Sequence, residues 1–569
     1  MRFVSLLDVH IDGELKMRAA QNFSRLHKDE YQLNKLFRDV EYEWPADFEG
    51  RALLALTLLG QALNSPSKNA DFIIQKLPQH LNELGYMGPV SPEGICDEQT
   101  LSGHGWLLRG LFEYYLWNGN NLAKDMAETI VNKLFLPLSG HYKKYPLDAN
   151  LRSGGGEAVG SRQNIIDNWR LSTDVGCAFI PLDGLSQAYT IMPTNALRML
   201  LIEIISRFVS ADKKVLGMQT HATLTALRGI LRFYEATKQT EYLDIVKDTF
   251  EIYIQEALTE NSENYNWFGR PDWTEPCAVV DSFMLSVGLW NHTRETAYLA
   301  LAQDIYYNGL GYEQRPNGGF GCNTCSGAHN TRVSPMKDLF EAWWCCSMRG
   351  GEGLSRAAEY IWCFRNFKDK GEPSPVAEIS LLFYFSNTVT LELNAGKLVL
   401  QLRTQYPFDG QFDIAVLESQ VDRTVRLQFF MPDWVGDDEI ALTCNREAVP
   451  GSMNSGFYQT SLVLHTGDKL LLSFPVRLNA KPTRNPHSIS GHQVLRHGPL
   501  LLGVRLPQLP ITEIDINRLA YFGHGVYRDK SAGLTFSPIN DIVNLETSEA
   551  QDDQRQILFP VKKQANVIS

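Results

Sequence analysis

The sequence predicts a multidomain α + β protein in which an (α/α)6 toroid is followed by antiparallel β-sandwich domains. Three observations carry this. The chain has 569 residues, too many for one core at roughly 100–200 residues per domain. Up to about Phe367, helix-period apolar patterns alternate with short polar breaks; beyond it the pattern changes to short β-rich runs punctuated by turns. Hydrophobic residues make up 44% and charged residues 21%, the balance of a folded globular chain, which excludes disordered, collagen-like and coiled-coil proteins.

The helical part contains copies of itself. Leu107, Leu108, Leu111, Phe112 and Tyr115 share one face of a segment entered at Ser102-Gly103-His104. Phe233-Tyr234-Glu235-Ala236-Thr237 followed by Tyr242-Leu243 recurs as Leu289-Trp290-Asn291-His292-Thr293 followed by Tyr298-Leu299, a repeat of about 56 residues. Tyr115-Leu116-Trp117-Asn118-Gly119 is a weaker copy upstream. Such a unit reads as a helical hairpin that buries its apolar face on its neighbours, and the helical part has room for about six. Six hairpins close naturally into a toroid, although an open solenoid has the same local signature.

In the second part, Thr388–Leu393, Lys397–Leu402, Thr424–Phe430 and Lys469–Phe474 read as sandwich strands. A break at Pro482 to Pro486 precedes renewed strand character at Gln493-Val494-Leu495 and Leu500 to Val504. The expected domains are residues 1–367, 368–482 and 483–569, with a polar, poorly ordered tail from about Asn540. The sandwich domains are open to three roles: binding carbohydrate, capping the toroid or forming a homodimer contact.

The formal charge is −12 and no basic run tracks a phosphate backbone, so nucleic acid is not expected as a partner. No run approaches the ~18 apolar residues of a membrane span, and no membrane partner is expected. Met1 to Asp8 meets an acid before a signal-type apolar core forms, so the expected location is cytoplasmic. Nine cysteines, an odd number, then read as thiols, thiolates or metal ligands rather than a disulfide framework.

Glu275-Pro276-Cys277 precedes one helix and Trp343-Trp344-Cys345-Cys346 precedes another. One carboxylate with three thiolates suits tetrahedral Zn²⁺, provided the backbone between the vicinal cysteines is not helical; the alternative is buried packing. Cys322-Asn323-Thr324-Cys325 with His329 is a rival site. A metal-held thiolate is also a nucleophile at neutral pH, and acetal chemistry then needs a carboxylic acid for the leaving oxygen. Glu260 and Glu263 lie on the loop that leads to Glu275. His104 and His221 stand at helix starts, where a toroid opens, and are candidates for a sugar hydroxyl or for structural hydrogen bonds. Trp267, Phe268, Trp273 and Trp343 are candidates for stacking on a sugar ring. No phosphate-binding glycine loop appears, so no nucleotide cofactor is expected.

At these residues the chain resembles glycoside hydrolase family 127, the β-L-arabinofuranosidase family, over nearly its whole length. The matching pieces are Ser102-Gly103-His104, Glu275-Pro276-Cys277, Tyr307-Asn308-Gly309 and Trp344-Cys345-Cys346. Tyr406-Pro407-Phe408-Asp409-Gly410, Met431-Pro432-Asp433-Trp434 and Leu495-Arg496-His497-Gly498-Pro499-Leu500 add to them. The resemblance implies Zn²⁺ held by Glu275, Cys277, Cys345 and Cys346, with Cys345 also the nucleophile of a retaining exo-hydrolase. It implies a glutamate acid/base upstream of Glu275, which spacing assigns to Glu260 and then Glu263. The segment departs from the family's Gly-Glu motif, reading Thr259-Glu260-Asn261. Gln303 stands where the family tends to carry a glutamate and is carried over as a substrate contact, with His104, His221 and Trp273. A middle pocket histidine is missing near Asp183 to Gln187.

The expected function is release of a terminal β-L-arabinofuranose-like sugar from an oligosaccharide or glycoside. The competing readings are a toroid-type polysaccharide lyase or carboxylate-pair glycosidase with structural cysteines, and a non-catalytic carbohydrate-binding protein.

Overall fold

Helices that alternate in direction build two concentric rings in the computed structural model, which describes residues 1–38, 43–92, 94–152, 160–328, 330–368, 374–484, 488–505, 511 and 514–560. The inner ring is α2 (Asp47–Ala62), α4 (Glu98–Asn118), α6 (Pro181–Ile191), α8 (Thr220–Thr237), α10 (Pro276–Thr293) and α12 (Cys346–Glu359). The outer ring is α1 (Gly13–Arg25), α3 (Lys68–Lys76), α5 (Asn121–Ile130), α7 (Asn195–Ser210), α9 (Thr240–Glu256) and α11 (Ala297–Asp304). Each inner helix packs on the next and α12 packs back on α2, so the ring is closed. This is the (α/α)6 toroid, not the open solenoid.

The repeat visible in the sequence is the turn between an inner and an outer helix. Gly119, Lys238 and Arg294 all adopt left-handed φ, at 70°, 60° and 68°, and close α4, α8 and α10. The ring is tight enough to demand glycine at its contacts. A Cβ on Gly50 would stand 2.3 Å from the Leu107 backbone nitrogen, and one on Gly229 2.3 Å from the Leu182 carbonyl carbon.

Two sheets pack beside the toroid. One runs Arg2–Phe3, Trp362–Asn366, Ala377–Leu381, Val425–Phe430, Phe457–Leu462 and Ser452–Asn454; the other runs from Glu447–Ala448 through Gly396–Thr404 and Asn387–Leu393 to Val9–Ile11. The expected strands are present, with one correction to the antiparallel pattern. Ala377–Leu381 and Val425–Phe430 are parallel, because the chain crosses to the other sheet and returns between them, the long connection that parallel neighbours require. Arg2–Phe3 pairs with Trp362–Asn366 and Val9–Ile11 with Asn387–Leu393, so residues drawn with the toroid in the sequence lie in the sandwich.

A third sheet follows from Leu478–Pro482 and includes His492–His497, Leu500–Arg505 and Leu534–Pro538. Val494, Leu501, Ile557 and Leu558 pack from it onto Tyr312, Val333 and Phe340 of the toroid side. The tail expected to be poorly ordered from Asn540 is folded to Pro560, because Ile542, Ile557 and Phe559 are buried. No described helix is long and apolar enough to cross a membrane.

A π-helical turn, Ile305–Leu310, holds this third sheet to the toroid. It carries Asn308, whose Nδ2 donates to the Pro499 carbonyl (3.0 Å) while its Oδ1 accepts from the Leu501 amide (2.7 Å). Asn308→Ala is therefore expected to leave two buried backbone groups unpaired and to lower stability by roughly 1–3 kcal/mol. Thermal melting together with proteolysis of the residues beyond 478 checks this; an unchanged melt and cleavage pattern would contradict the clamp.

Candidate active site

The inner helices all point their N-termini to one end of the toroid, where the residues from positions 47, 219–221, 275–277 and 345–346 meet. Helix N-termini favour anionic groups, so this end suits carboxylates and thiolates. Among the described residues, one group of His, Cys, Asp and Glu brings its ligand atoms together. It is Glu275, Cys277, Cys345 and Cys346, whose ligand atoms all lie within 4.8 Å of one another. The sulfur of Cys346 lies 3.6 Å from that of Cys277 and 3.2 Å from that of Cys345. Cys345 precedes α12 with φ −144° and ψ −61°, outside helical geometry, and this lets neighbouring cysteines turn to one point.

The surroundings fit a bound cation. Burial pushes the Glu275 carboxyl up to about 8, reinforced by Asp174, and pushes the Cys277 and Cys346 thiols well above their ordinary range. The four groups are thus poorly supported as free anions, and their donor chemistry, three sulfurs and one oxygen, is that of a closed tetrahedral zinc site.

A second set of residues frames the cluster. Arg51 on α2 pairs with Asp47 (2.8 Å), lies over the Trp106 ring (4.3 Å) and points Nη1 at the Cys277 sulfur (3.6 Å). Gln219 Nε2 donates to Glu275 Oε2 (3.2 Å). His221 stacks on Trp106 and places Nδ1 3.0 Å from Asp281 Oδ2. A carboxylate only accepts, so the ring proton sits on Nδ1 and leaves Nε2 to receive Arg51 (3.5 Å). Burial lowers the His221 pKa to about 4 despite Asp281, and the ring is neutral at pH 7. Against burial, Arg349 and Arg228 hold Asp281 well below the usual carboxylate range.

The cluster floors a small cavity of about 60 Å³ walled by Trp44, Trp273 and Trp344 and lined also by Asp47, Asp174 and Asn266. Cys345 and Cys346 line the cavity, and of the three cysteines Cys345 is half-buried whereas Cys277 and Cys346 are buried.

The other residues singled out by sequence divide sharply. Trp273 and His221 line the cavity. Glu260 does not: its carboxylate accepts from the Arg484 amide (3.1 and 3.0 Å) and the Ser488 hydroxyl, on a different cavity shared with Lys481 and Arg496. Glu263 is buried under the floor, where it accepts from Thr274 Oγ1 (3.3 Å) and from the amides of Asn261 and Asn323. Position along a loop had suggested both glutamates, but the loop turns them to partners elsewhere. His104 is consumed by backbone, Nδ1 on the Thr100 carbonyl (2.7 Å) and Nε2 on the Met87 amide (3.0 Å). Gln303 lies away from the cavity too and donates to the Leu382 carbonyl (3.3 Å), between toroid and sandwich. Of the rival cysteine pair, Cys322 touches the cavity wall while Cys325 points at the Asn264 carbonyl (3.8 Å); His329 lies outside the described residues. Sequence reasoning missed Asp47, Arg51, Asp174 and Gln219. The first two carry a signal, an acid–base pair at i,i+4 in the first turn of an otherwise apolar helix.

With the geometry established, similarity to known proteins becomes informative. Residues 378–476 match the family model of the β-L-arabinofuranosidase GH127 middle domain. That segment resembles the GH127 middle domain. A solved GH127 beta-arabinofuranosidase superposes with a TM-score of 0.70 over 99% of this chain and 98% of its own, at 12% identity. A solved glycoside hydrolase gives 0.71 over 99% and 97%, also at 12% identity. Ara127N-Se, a GH127 beta-L-arabinofuranosidase from Geobacillus stearothermophilus T6, gives 0.66 over 97% and 100%, again at 12% identity. The fold of these proteins thus extends over the toroid and the sheets that pack beside it. No curated protein matches the chain by sequence.

The cluster predicts about one zinc per chain in protein purified without chelator. Elemental analysis should find it lost in Cys277→Ala and kept in Cys322→Ala; zinc that follows Cys322 instead would move the site to the rival pair.

Proposed function

We propose that this chain is a retaining exo-glycoside hydrolase that releases a terminal β-L-arabinofuranose-like sugar, with Cys345 as nucleophile. The observation that carries this is the cavity floor, where one carboxylate and three sulfurs converge and Cys345 is the less buried of the two cysteines of the cluster that line the cavity. The GH127 fold over the whole length supports the reading.

Glu275, Cys277, Cys345 and Cys346 would hold Zn²⁺, which when bound keeps thiolates deprotonated at neutral pH. The remaining chemistry belongs to the chain. Trp44, Trp273 and Trp344 exclude water and offer apolar faces to a sugar ring. Gln219 orients Glu275, and Arg51 brings a positive charge against the Cys277 sulfur. Neutral His221, held by Asp281, keeps Arg51 aimed at the floor. Cys345 attacks the anomeric carbon, the bond to the leaving oxygen breaks, and a thioglycosyl enzyme forms that water later cleaves with return of the thiolate.

Cys345→Ser is expected to keep the melting temperature within a few degrees and to abolish release of 4-nitrophenol from 4-nitrophenyl β-L-arabinofuranoside. A variant with near-normal turnover would sink the nucleophile assignment and favour a carboxylate-pair or lyase mechanism.

A further inference from the structure

We propose that Asp174 is the proton donor and acceptor of this site, serving first the leaving-group oxygen and then the attacking water. The inference rests on the reading of Cys345 as nucleophile, and it fills the role left open once Glu260 and Glu263 are found facing other partners.

Three carboxyl groups line the cavity: Asp47, Asp174 and Glu275. Asp47 is bound to Arg51 at 2.8 Å and buried. Glu275 belongs to the donor cluster and accepts from Gln219. Asp174 lies outside the donor cluster and, among the described residues, has no ion pair, although it shares Gln219 with Glu275. It sits in the turn between the strand Trp169–Ser172 and α6, fixed by its own backbone: its amide donates to Ser172 Oγ (3.2 Å) and its carbonyl accepts from the Cys177 amide (3.1 Å). The residues that follow, Val175, Gly176 and Cys177, are buried, whereas Asp174 is half-buried and lines the cavity.

The opposite wall leaves room for that carboxyl. Gly160 faces it so closely that a Cβ there would stand 2.7 and 2.8 Å from its two oxygens. The carbonyl of Gly160 is pinned in turn by Trp44 Nε1 (3.0 Å) and Gln99 Nε2 (3.1 Å). Among the described residues the group has no ion pair. Burial, with the charges of Glu98 and Asp47 and against Arg51, brings its pKa to about 7, and Gln219 is its hydrogen-bonding neighbour. Placed in the same cavity as Cys345 and outside the donor cluster, one carboxyl can serve in both directions.

The balance is complete. In the first step the bond from the anomeric carbon to the leaving oxygen breaks, the Cys345 sulfur bonds that carbon, and the Asp174 proton passes to the leaving oxygen. In the second, a water oxygen bonds the same carbon, its proton returns to Asp174, and the sulfur departs as thiolate.

The test uses the full-length protein as purified, with its zinc content measured, on the 4-nitrophenyl and methyl β-L-arabinofuranosides. Asp174→Asn should cleave the nitrophenyl glycoside's activated bond but lose about 10²–10⁴-fold on the methyl glycoside, which needs a proton donor. Intact-mass spectrometry should then show a pentose adduct on Cys345 with the nitrophenyl substrate, and azide should restore turnover. Equal loss on both substrates with no adduct overturns the proposal, as does loss of zinc or of the folded state in Asp174→Asn when Asp174→Glu restores neither the methyl-glycoside rate nor the fold. A wild type inert towards both glycosides, or one indifferent to Cys345→Ser, overturns the Cys345 reading itself. An active wild type matched by Asp174→Asn on both substrates overturns the role of Asp174 alone.

Discussion

A lattice of buried charges down the axis of the toroid is the constraint on which the rest depends. Arg109 on α4 meets Asp183 on α6 at 3.1 Å, and Arg228 on α8 meets Asp183 at 3.1 Å, Asp281 on α10 at 2.7 Å and Glu352 on α12 at 2.9 Å. Arg349 on α12 closes on Asp281, and His221 passes the contact to Arg51 on α2. All six inner helices contribute. Buried ions are costly to desolvate, and loss of one partner from such a set typically costs about 3–5 kcal/mol. A helix rotated by one residue would strand a charge, so the lattice sets the rotation of each inner helix. That rotation decides which side chains reach the cavity at the N-terminal end.

What was legible in the sequence was local. The repeat could be seen because each copy marks a left-handed turn at Lys238 or Arg294, where spacing is measured along the chain. The vicinal cysteines and Glu275-x-Cys277 were visible for the same reason. Ring closure was not, since it depends on α12 meeting α2 across about 300 residues. Glu260 lies off the cysteine cavity because spacing says how far along a loop a residue lies, not which way it faces. Arg484 and Ser488, distant in sequence, decide that. Asp174 has no motif around it, and its setting comes from Gly160 and from charges on α2 and α4.

Several of the family-like motifs belong to architecture rather than chemistry. Tyr307-Asn308-Gly309 and His497-Gly498-Pro499-Leu500, far apart in the chain, are two halves of one joint. Gln303, close by, faces the sandwich. The segment that matches the GH127 middle domain lies wholly within the two-sheet region. Shared sequence therefore records how the domains are fastened, while the cavity above the cysteines is free to vary in its acid.

The two short strands at the start of the chain set the order of assembly. Arg2–Phe3 and Val9–Ile11 have no partners until Trp362–Asn366 and Asn387–Leu393 have been synthesised. At roughly 5–20 residues per second, that is a wait of tens of seconds. The helix that completes the ring, α12, emerges immediately before those partners. Ring closure, assembly of Cys345 and Cys346 against Cys277, and capture of the leading strands thus fall together late in translation, so a nascent chain truncated before residue 345 has neither a closed toroid nor the cluster of Glu275 with three cysteines.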